Sequence, residues 1–301
     1  MDAPAINLKK RICVLGASGQ IGSVLTTRLS MDFPEAEVIG CVRKHVSSTS
    51  NASYFRFNPF KDDWRTLGKV DVLINSIGII EETADLTFEK AHQGLTRLML
   101  ENRSLLRNPK LIQVSVLGAD TESHSPFLRT KAKADETLLK QPRTVVIRPS
   151  IVCTPGTVMV QKLRMLGRMS RWLGGYLPFP ARFSQTRIQP VLADDLAQLV
   201  SISCATDQHP ALIEAVGPEA YSLGQLSRCV GKRPIRLVRF PQTWFNALFP
   251  LGVRLLPGLL NRGQLHLLER DNVADVKVFQ ELLGHPPGGT KRFWLQELGR
   301  L

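Results

Sequence analysis

The 301 residues read as an α/β protein: a doubly wound sheet of parallel strands, followed by a smaller carboxyl-terminal cap. Three observations lead there. Short β-branched runs alternate with stretches of helical periodicity through the first half, the pattern of successive βαβ units. A glycine-rich turn separates the first run from the first helical stretch. Past Pro149 the alternation loosens into Gly/Pro-rich and basic segments.

Taken in order, strands are predicted at Arg11 to Leu15, Glu37 to Val42, Tyr54 to Phe57, Val70 to Asn75, Leu111 to Ser115 and Thr144 to Ile147. Helices are predicted over Gln20 to Ser30, Leu86 to Leu106 and Pro126 to Leu139, each long enough to cross between parallel strands. The expectation is six strands with helices on both faces. A soft boundary near Ile151 separates residues 1–150, a nucleotide-binding domain, from residues 151–301, a smaller substrate or cap region interleaved with it. In the latter, Ala211 to Val216 reads as a strand, and Leu223 to Val230 and the run LNRGQLHLLERDNVADVKVFQELLG as helical. Function is expected at the carboxyl edge of the sheet, where open α/β sheets bind ligands.

Composition narrows the class. Hydrophobic residues are 43% and charged residues 22%, values of a globular protein and not of a disordered one. With 39 basic and 26 acidic residues the net charge is +13, which favours an acidic partner: a nucleotide cofactor, an anionic membrane surface or nucleic acid. Nucleic acid is set aside, because the basic residues are dispersed and no zinc-finger, RNA-binding or helix-turn-helix signature is present. No Ser lies in a G-x-S-x-G elbow, so hydrolase chemistry is not indicated, and His124 and His209 read as surface residues. Cys13, Cys41, Cys153, Cys204 and Cys229 are odd in number and widely spaced, unlike a disulfide framework or a metal knuckle, so no metal is expected. The first residues carry no export signal. Trp244 to Leu260, the most apolar stretch, is interrupted by Pro250, Arg254 and Pro257 and reads as too short to span a bilayer. The expected location is the cytoplasm, with peripheral contact on the inner face of a membrane left open.

The segment RICVLGASGQIGSVL holds the strongest motif: a strand, then Gly16, Gly19 and Gly22, then a helix. Gly16 permits a tight turn, Gly19 lets backbone amides approach a pyrophosphate, and Gly22 lets helix and strand pack closely. Ser18, Gln20 and Ile21 supply the neighbouring amides at the positive end of the helix. This is the Rossmann-type dinucleotide turn. About twenty residues on, where an acidic side chain would bind the ribose of NAD, the second strand ends in Arg43 and Lys44. A guanidinium there suits the 2′-phosphate of NADP(H), which is the preferred cofactor. The alternative is a solvated basic strand end.

Further motifs resemble the extended, atypical branch of the short-chain dehydrogenases/reductases. INSIGII resembles that family's Asn-containing turn after the fourth strand, QVSVLGAD the strand that carries the active-site Ser, and IRPSIV the turn after the sixth strand. SPFLRTKAKADETLL and LLERDNV, with Asp271 and Asn272, resemble in particular the group that holds the nucleotide-binding accessory subunit of respiratory complex I. The resemblance implies cofactor contacts from Asn75, Ile77, Gly78, Lys131, Pro149 and Ile151, beside Gly16 to Gly22. It implies catalytic roles for Ser115 and Lys131, and a protein that binds NADP(H) within a respiratory or quinone-associated assembly.

One departure bears on mechanism. The family pairs a Tyr with a Lys four residues later on one helix face; here those positions hold Phe127 and Lys131. A phenyl ring transfers no proton, and losing a general acid costs about 100- to 10,000-fold in rate. Two readings stay open: an NADP(H)-binding protein with weakened or absent carbonyl-reductase chemistry, or an active NADPH-dependent oxidoreductase on a hydrophobic carbonyl, enone or quinone. Between Gln161 and Arg187, basic residues interleave with Leu, Met, Trp and Phe. That pattern fits either a helix with one solvated basic face or contact with an anionic bilayer or acidic partner.

Overall fold

A computed structural model describes residues 10–44, 52–230, 235–241, 243–244, 247 and 270–299. Within them the chain divides into two compact units, the first made of Met1–Ser115, Thr130–Ile147 and Ala197–Ile213, the second of Val116–Arg129, Arg148–Leu196 and Glu214–Leu301.

The elements, in chain order, begin with strand β1 (Arg11–Leu15), helix α1 (Gln20–Asp32), β2 (Glu37–Val42), β3 (Ser53–Arg56), β4 (Val72–Asn75), α2 (Leu95–Glu101), β5 (Lys110–Val114), α3 (Pro126–Leu139) and β6 (Thr144–Pro149). There follow β7 (Val152–Cys153), α4 (Val158–Trp172), β8 (Tyr176–Pro180), α5 (Ala181–Gln185), β9 (Arg187–Ile188), β10 (Val191–Leu192), α6 (Ala193–Ala205), β11 (Leu212–Ala215), β12 (Tyr221–Ser222), α7 (Leu223–Arg228), β13 (Arg236–Phe240), α8 (Lys277–Leu283) and α9 (Lys291–Glu297).

The main sheet runs in the order β11-β6-β5-β4-β1-β2-β3. Its strands pair in parallel, with Leu15 level with Asn75 on one side and with Cys41 on the other. β4 and β5 are buried at every position, as strands covered on both faces must be. This is the expected doubly wound α/β sheet of Rossmann type. Its order reverses at β1 and β4, so the carboxyl ends of those two strands form the switch point where such sheets open a crevice.

Seven strands replace the expected six. β11 adds beside β6: Val146 N donates to Ala211 O and Ser150 N to Ala215 O, advancing together as parallel strands do. Its own sequence reads as a strand, but its neighbour lies more than sixty residues earlier, and periodicity carries no pairing information over that distance. The helix expected over Leu86 to Leu106 is shorter, a π-turn at Lys90–Gly94 followed by α2. The basic stretch from Gln161 is helical only as far as Trp172, then turns at Gly174 (φ 66°) and Gly175 (φ 93°) into β8. Most of the apolar stretch Trp244 to Leu260, and the first part of the helical run after it, lie outside the described residues.

The first unit's core gathers Cys13 and Leu15 of β1, Leu73 of β4, Leu111 of β5, and Phe57, Trp64, Leu95 and Met99 from the flanking segments. Part of the basic excess is spent here on structure. Lys10 Nζ donates to Cys204 O and Lys110 Nζ to Thr206 O, satisfying carbonyls at the end of α6. In the second unit, Val160 and Leu163 of α4 pack with Phe179, Phe183, Ile188, Leu226 and Trp294.

Candidate functional site

At the switch point the turn after β1 closes on itself. Gly19 N donates to Gly16 O at 2.9 Å, and Ala17 N reaches Cys41 O at the end of β2. Gly16 sits at φ 81°, where a side chain is strained, and a Cβ there would lie 2.9 Å from Ile77 Cγ1. At Gly22 a Cβ would fall 2.2 Å from Gly16 O. Only hydrogen fits there. Gly40 at the facing edge of β2 is equally constrained, a Cβ coming 2.9 Å from that of Ala17. Sequence reasoning passed over Gly40, since a lone glycine in a strand carries no spacing signal.

α1 begins at this turn with Gly19 as its N-cap and no side chain capping the first turn. Helix starts leave their first amides without intrahelical acceptors. Ser18, Gly19 and Gln20 are exposed and Ile21 half-buried, so the amino end of α1 faces solvent.

A second turn, after β4, packs against the first. Ser76 Oγ donates to Leu15 O at 2.7 Å, and Ile77 N to Asn75 Oδ1 at 2.9 Å. Asn75 is buried, and its amide also donates to Gln113 Oε1 of β5. Its side chain shapes the turn from beneath. Gly78 at the tip is exposed, and a Cβ there would be 3.6 Å from Lys131 Nζ.

Lys131, on α3, is 3% exposed, and its ammonium donates to Val114 O at 3.2 Å. Burial pulls its pKa down to about 8, with the Asp135 carboxylate working against the shift. Asp135 lies one helical turn further along α3 and is completely buried. Ser115 Oγ donates to Asp135 Oδ2 at 2.8 Å. The serine expected to be catalytic thus donates its hydroxyl hydrogen bond to a carboxylate of the same unit. Next to them His92, from the π-turn, is 1% exposed and shares a 2.8 Å hydrogen bond with Thr130 Oγ1. Burial first, and the Lys131 charge second, bring its pKa down to about 2, so it is neutral in ordinary buffers. Neither Asp135 nor His92 was singled out from the sequence. Asp135 was findable, four residues after Lys131 on the face that also carries Phe127.

The remaining predicted residues fall as follows. Arg43 and Lys44 directly follow β2 and are both exposed. Phe127, in the first turn of α3, is buried. Pro149 and Ile151 belong to the second unit, where their carbonyls accept from Leu117 N and Val191 N. Asn272 is a staple of that unit: its side chain accepts from Ser150 Oγ and donates to Leu117 O, while its backbone bridges Arg187 and Gln189. Asp271 accepts from Arg187 N and Nε. The DNV run therefore does structural work in the second unit.

The first unit fits a dinucleotide on its own geometry. A turn packed too closely for a Cβ at Gly16 or Gly22 leads into an uncapped thirteen-residue helix at the sheet's switch point. The residues that would hold such a group are Gly16 to Gly22, Ile77, Gly78 and Lys131, with Arg43 and Lys44 exposed at the end of β2.

Among solved structures the chain is similar to a nucleoside-diphosphate-sugar epimerase from Staphylococcus aureus, with a TM-score of 0.72, 12% identity and coverage of 95% of this chain and 99% of that one. An NADPH-dependent quinone oxidoreductase from Escherichia coli, solved with NADPH, gives 0.69 at 16% identity over 96% and 99% of the two chains. A dTDP-glucose 4,6-dehydratase from Bacillus anthracis, solved with NAD, gives 0.64 at 16% identity over 96% and 95%. The chain shares the fold of these three structures over nearly its whole length.

In sequence the chain is similar to the mitochondrial NADH dehydrogenase (ubiquinone) 1 alpha subcomplex subunit 9 of Arabidopsis thaliana, 28% identical over 233 residues. It is also similar to the mitochondrial NADH-ubiquinone oxidoreductase 40 kDa subunit of Neurospora crassa, 22% identical over 268 residues. These matches cover 71% and 83% of the chain, which spans 55% and 65% of the length of the two relatives. No family profile matches it. Among the described residues no helix is long and apolar enough to cross a membrane.

Proposed function

We propose that the chain binds NADP(H) on its first unit, with carbonyl-reductase chemistry weakened or absent, and serves as a nucleotide-holding component of a respiratory or quinone-linked assembly. The observation that carries this reading is a contrast within one unit: the turn is packed so that only glycine fits at positions 16 and 22, while Ser115 Oγ donates its hydrogen bond to Asp135. Phe127 stands where a phenol would be needed.

In this reading the amides of Ser18 to Gly22 hold the diphosphate and Arg43 and Lys44 meet the 2′-phosphate. Lys131, beside Gly78, holds the nicotinamide ribose. The bound group supplies a hydride; the protein withholds the proton that a carbonyl would need alongside it. The assembly role is supported by the similarity to the two mitochondrial NADH-ubiquinone subunits; in this reading the protein lies peripherally on the inner face of a membrane.

The experiment is NADPH oxidation by purified protein over a panel of quinones and lipophilic ketones, with nucleotide binding measured in parallel. Binding with background oxidation is the expected result. The second reading, an active oxidoreductase on a hydrophobic carbonyl, enone or quinone, draws support from Lys131, an ammonium brought to about 8 and so able to give up a proton near neutrality. Robust turnover by the parent protein, with kcat lost in Lys131→Met at saturating NADPH, would establish it instead.

A further inference from the structure

The second unit leaves one group of large apolar side chains in water. Trp172, the last residue of α4, is 92% exposed, and Leu173 and Tyr176 across the following turn are 49% and 45% exposed. β13 runs beside β8 in register Arg236↔Tyr176 and Val238↔Pro178, which sets Val238, 49% exposed, on the same ribbon. Arg236 N donates to Gly175 O, closing the ribbon on the turn. An aromatic side chain of this size ordinarily finds cover. The two glycines at φ 66° and 93° make the turn itself, so the exposed residues are displayed by a defined backbone.

The charges around this tip have one sign. Arg164, Arg168 and Trp172 follow one another at four-residue spacing on the exposed side of α4, and Arg171 is exposed as well. Arg236 lies over the Tyr176 ring and donates to its hydroxyl. Arg164 is paired with Glu297; among the described residues no ion pair involves Arg168, Arg171 or Arg239. No Asp or Glu occurs in the sequence between Glu136 and Asp194, nor between Glu219 and Glu269. The two stretches that form the tip therefore carry no negative charge of their own.

We propose that the tip formed by Trp172, Leu173, Tyr176 and Val238, with Arg168, Arg171 and Arg236 beside it, docks on the surface of an anionic phospholipid bilayer. Trp and Tyr are the side chains that settle at the level of lipid headgroups, with an apolar body below and a polar edge above. Arginines beside them meet the headgroup phosphates, each contributing about fivefold to partition near an anionic surface. Apolar insertion and electrostatic attraction are the two components of interfacial binding, and the tip carries both. This site belongs to the second unit and stands or falls separately from the nucleotide reading.

The test is sedimentation of the whole protein with vesicles of phosphatidylcholine alone or with one third phosphatidylserine, at low and high salt. Binding to the phosphatidylserine vesicles at low salt, weakened at least fivefold at high salt, is expected. Trp172→Ser with Leu173→Ser, and separately Arg168→Gln with Arg171→Gln, are each expected to reduce it about tenfold or more. These positions are exposed, and unchanged circular dichroism and thermal unfolding in the variants would show an intact fold. Quenching of tryptophan emission by brominated lipid should fall in Trp172→Phe. No binding at low salt, equal binding to phosphatidylcholine, or undiminished binding of either double variant overturns the proposal; the last outcome would assign the contact to another part of the chain.

Discussion

The glycine turn after β1 and the cluster around Lys131 belong to the same unit yet are built from different materials. The turn is backbone: its shape rests on Gly16, Gly19 and Gly22 lacking a Cβ and on hydrogen bonds from Gly19 N and Ala17 N. The cluster is side chain: Lys131, Asp135, Ser115, His92 and Thr130, all but fixed by burial and by each other. A backbone site survives most substitutions around it, whereas proton transfer depends on one group in one place. Binding and turnover are thus separable on this fold.

The sharpest way to break the first half of the comparison is Gly22→Val. Its Cβ would lie 2.2 Å from a backbone oxygen that has no room to move. We expect no measurable NADPH binding by calorimetry and a loss of about 1–3 kcal/mol in stability by denaturant titration. The second half is addressed by Phe127→Tyr combined with Asp135→Ala, which returns a phenol and releases Ser115 Oγ. We expect the pair to raise NADPH-dependent carbonyl reduction about 100- to 10,000-fold over the parent. Phe127→Tyr alone should give much less, since Ser115 remains bonded to Asp135.

A smaller effect follows from Lys131. Its ammonium is brought from 10.5 to about 8 in the folded protein. Between those values the unfolded chain holds a proton that the folded one lacks, so this group's contribution to stability rises with pH across the window and is least favourable below it. Over 8 to 10.5 the gain is on the order of 3 kcal/mol. Chemical denaturation of nucleotide-free protein at a series of pH values should show the rise, and Lys131→Met should flatten it. The smallest expected effect is at the end of β2. Arg43→Ala with Lys44→Ala should weaken NADPH binding about tenfold, the value of ~1.4 kcal/mol, and leave NADH nearly unchanged.

Much of the first unit was legible because its strands are buried on both faces and so appear as short continuous apolar runs; β1 and β2 fall on the residues expected for them. The glycine turn was legible for a related reason, since backbone geometry imposes residue identity directly. Place in the sheet was not. β11 reads as a strand in isolation, but only its hydrogen bonds to β6 make it a seventh member. The Lys131 cluster was half legible: helical spacing aligned Phe127, Lys131 and Asp135, but nothing local says that Ser115, twenty residues earlier, turns its hydroxyl to Asp135. His92 was hidden altogether, because its burial beside Lys131 arises from a contact 38 residues away with Thr130. In the second unit, the basic stretch gave its amphipathic helix but not the tip at its end, which depends on Gly174 and Gly175 turning the chain into β8.

The most direct measurement of the central claim is the fluorescence of NADPH titrated with the purified protein and then followed after adding a quinone. A saturable change on binding, absent in Gly22→Val, is expected, and with quinone present the signal should decay no faster than that of free NADPH. No saturable change would remove the nucleotide site, and rapid loss of the signal would show that the protein turns its nucleotide over.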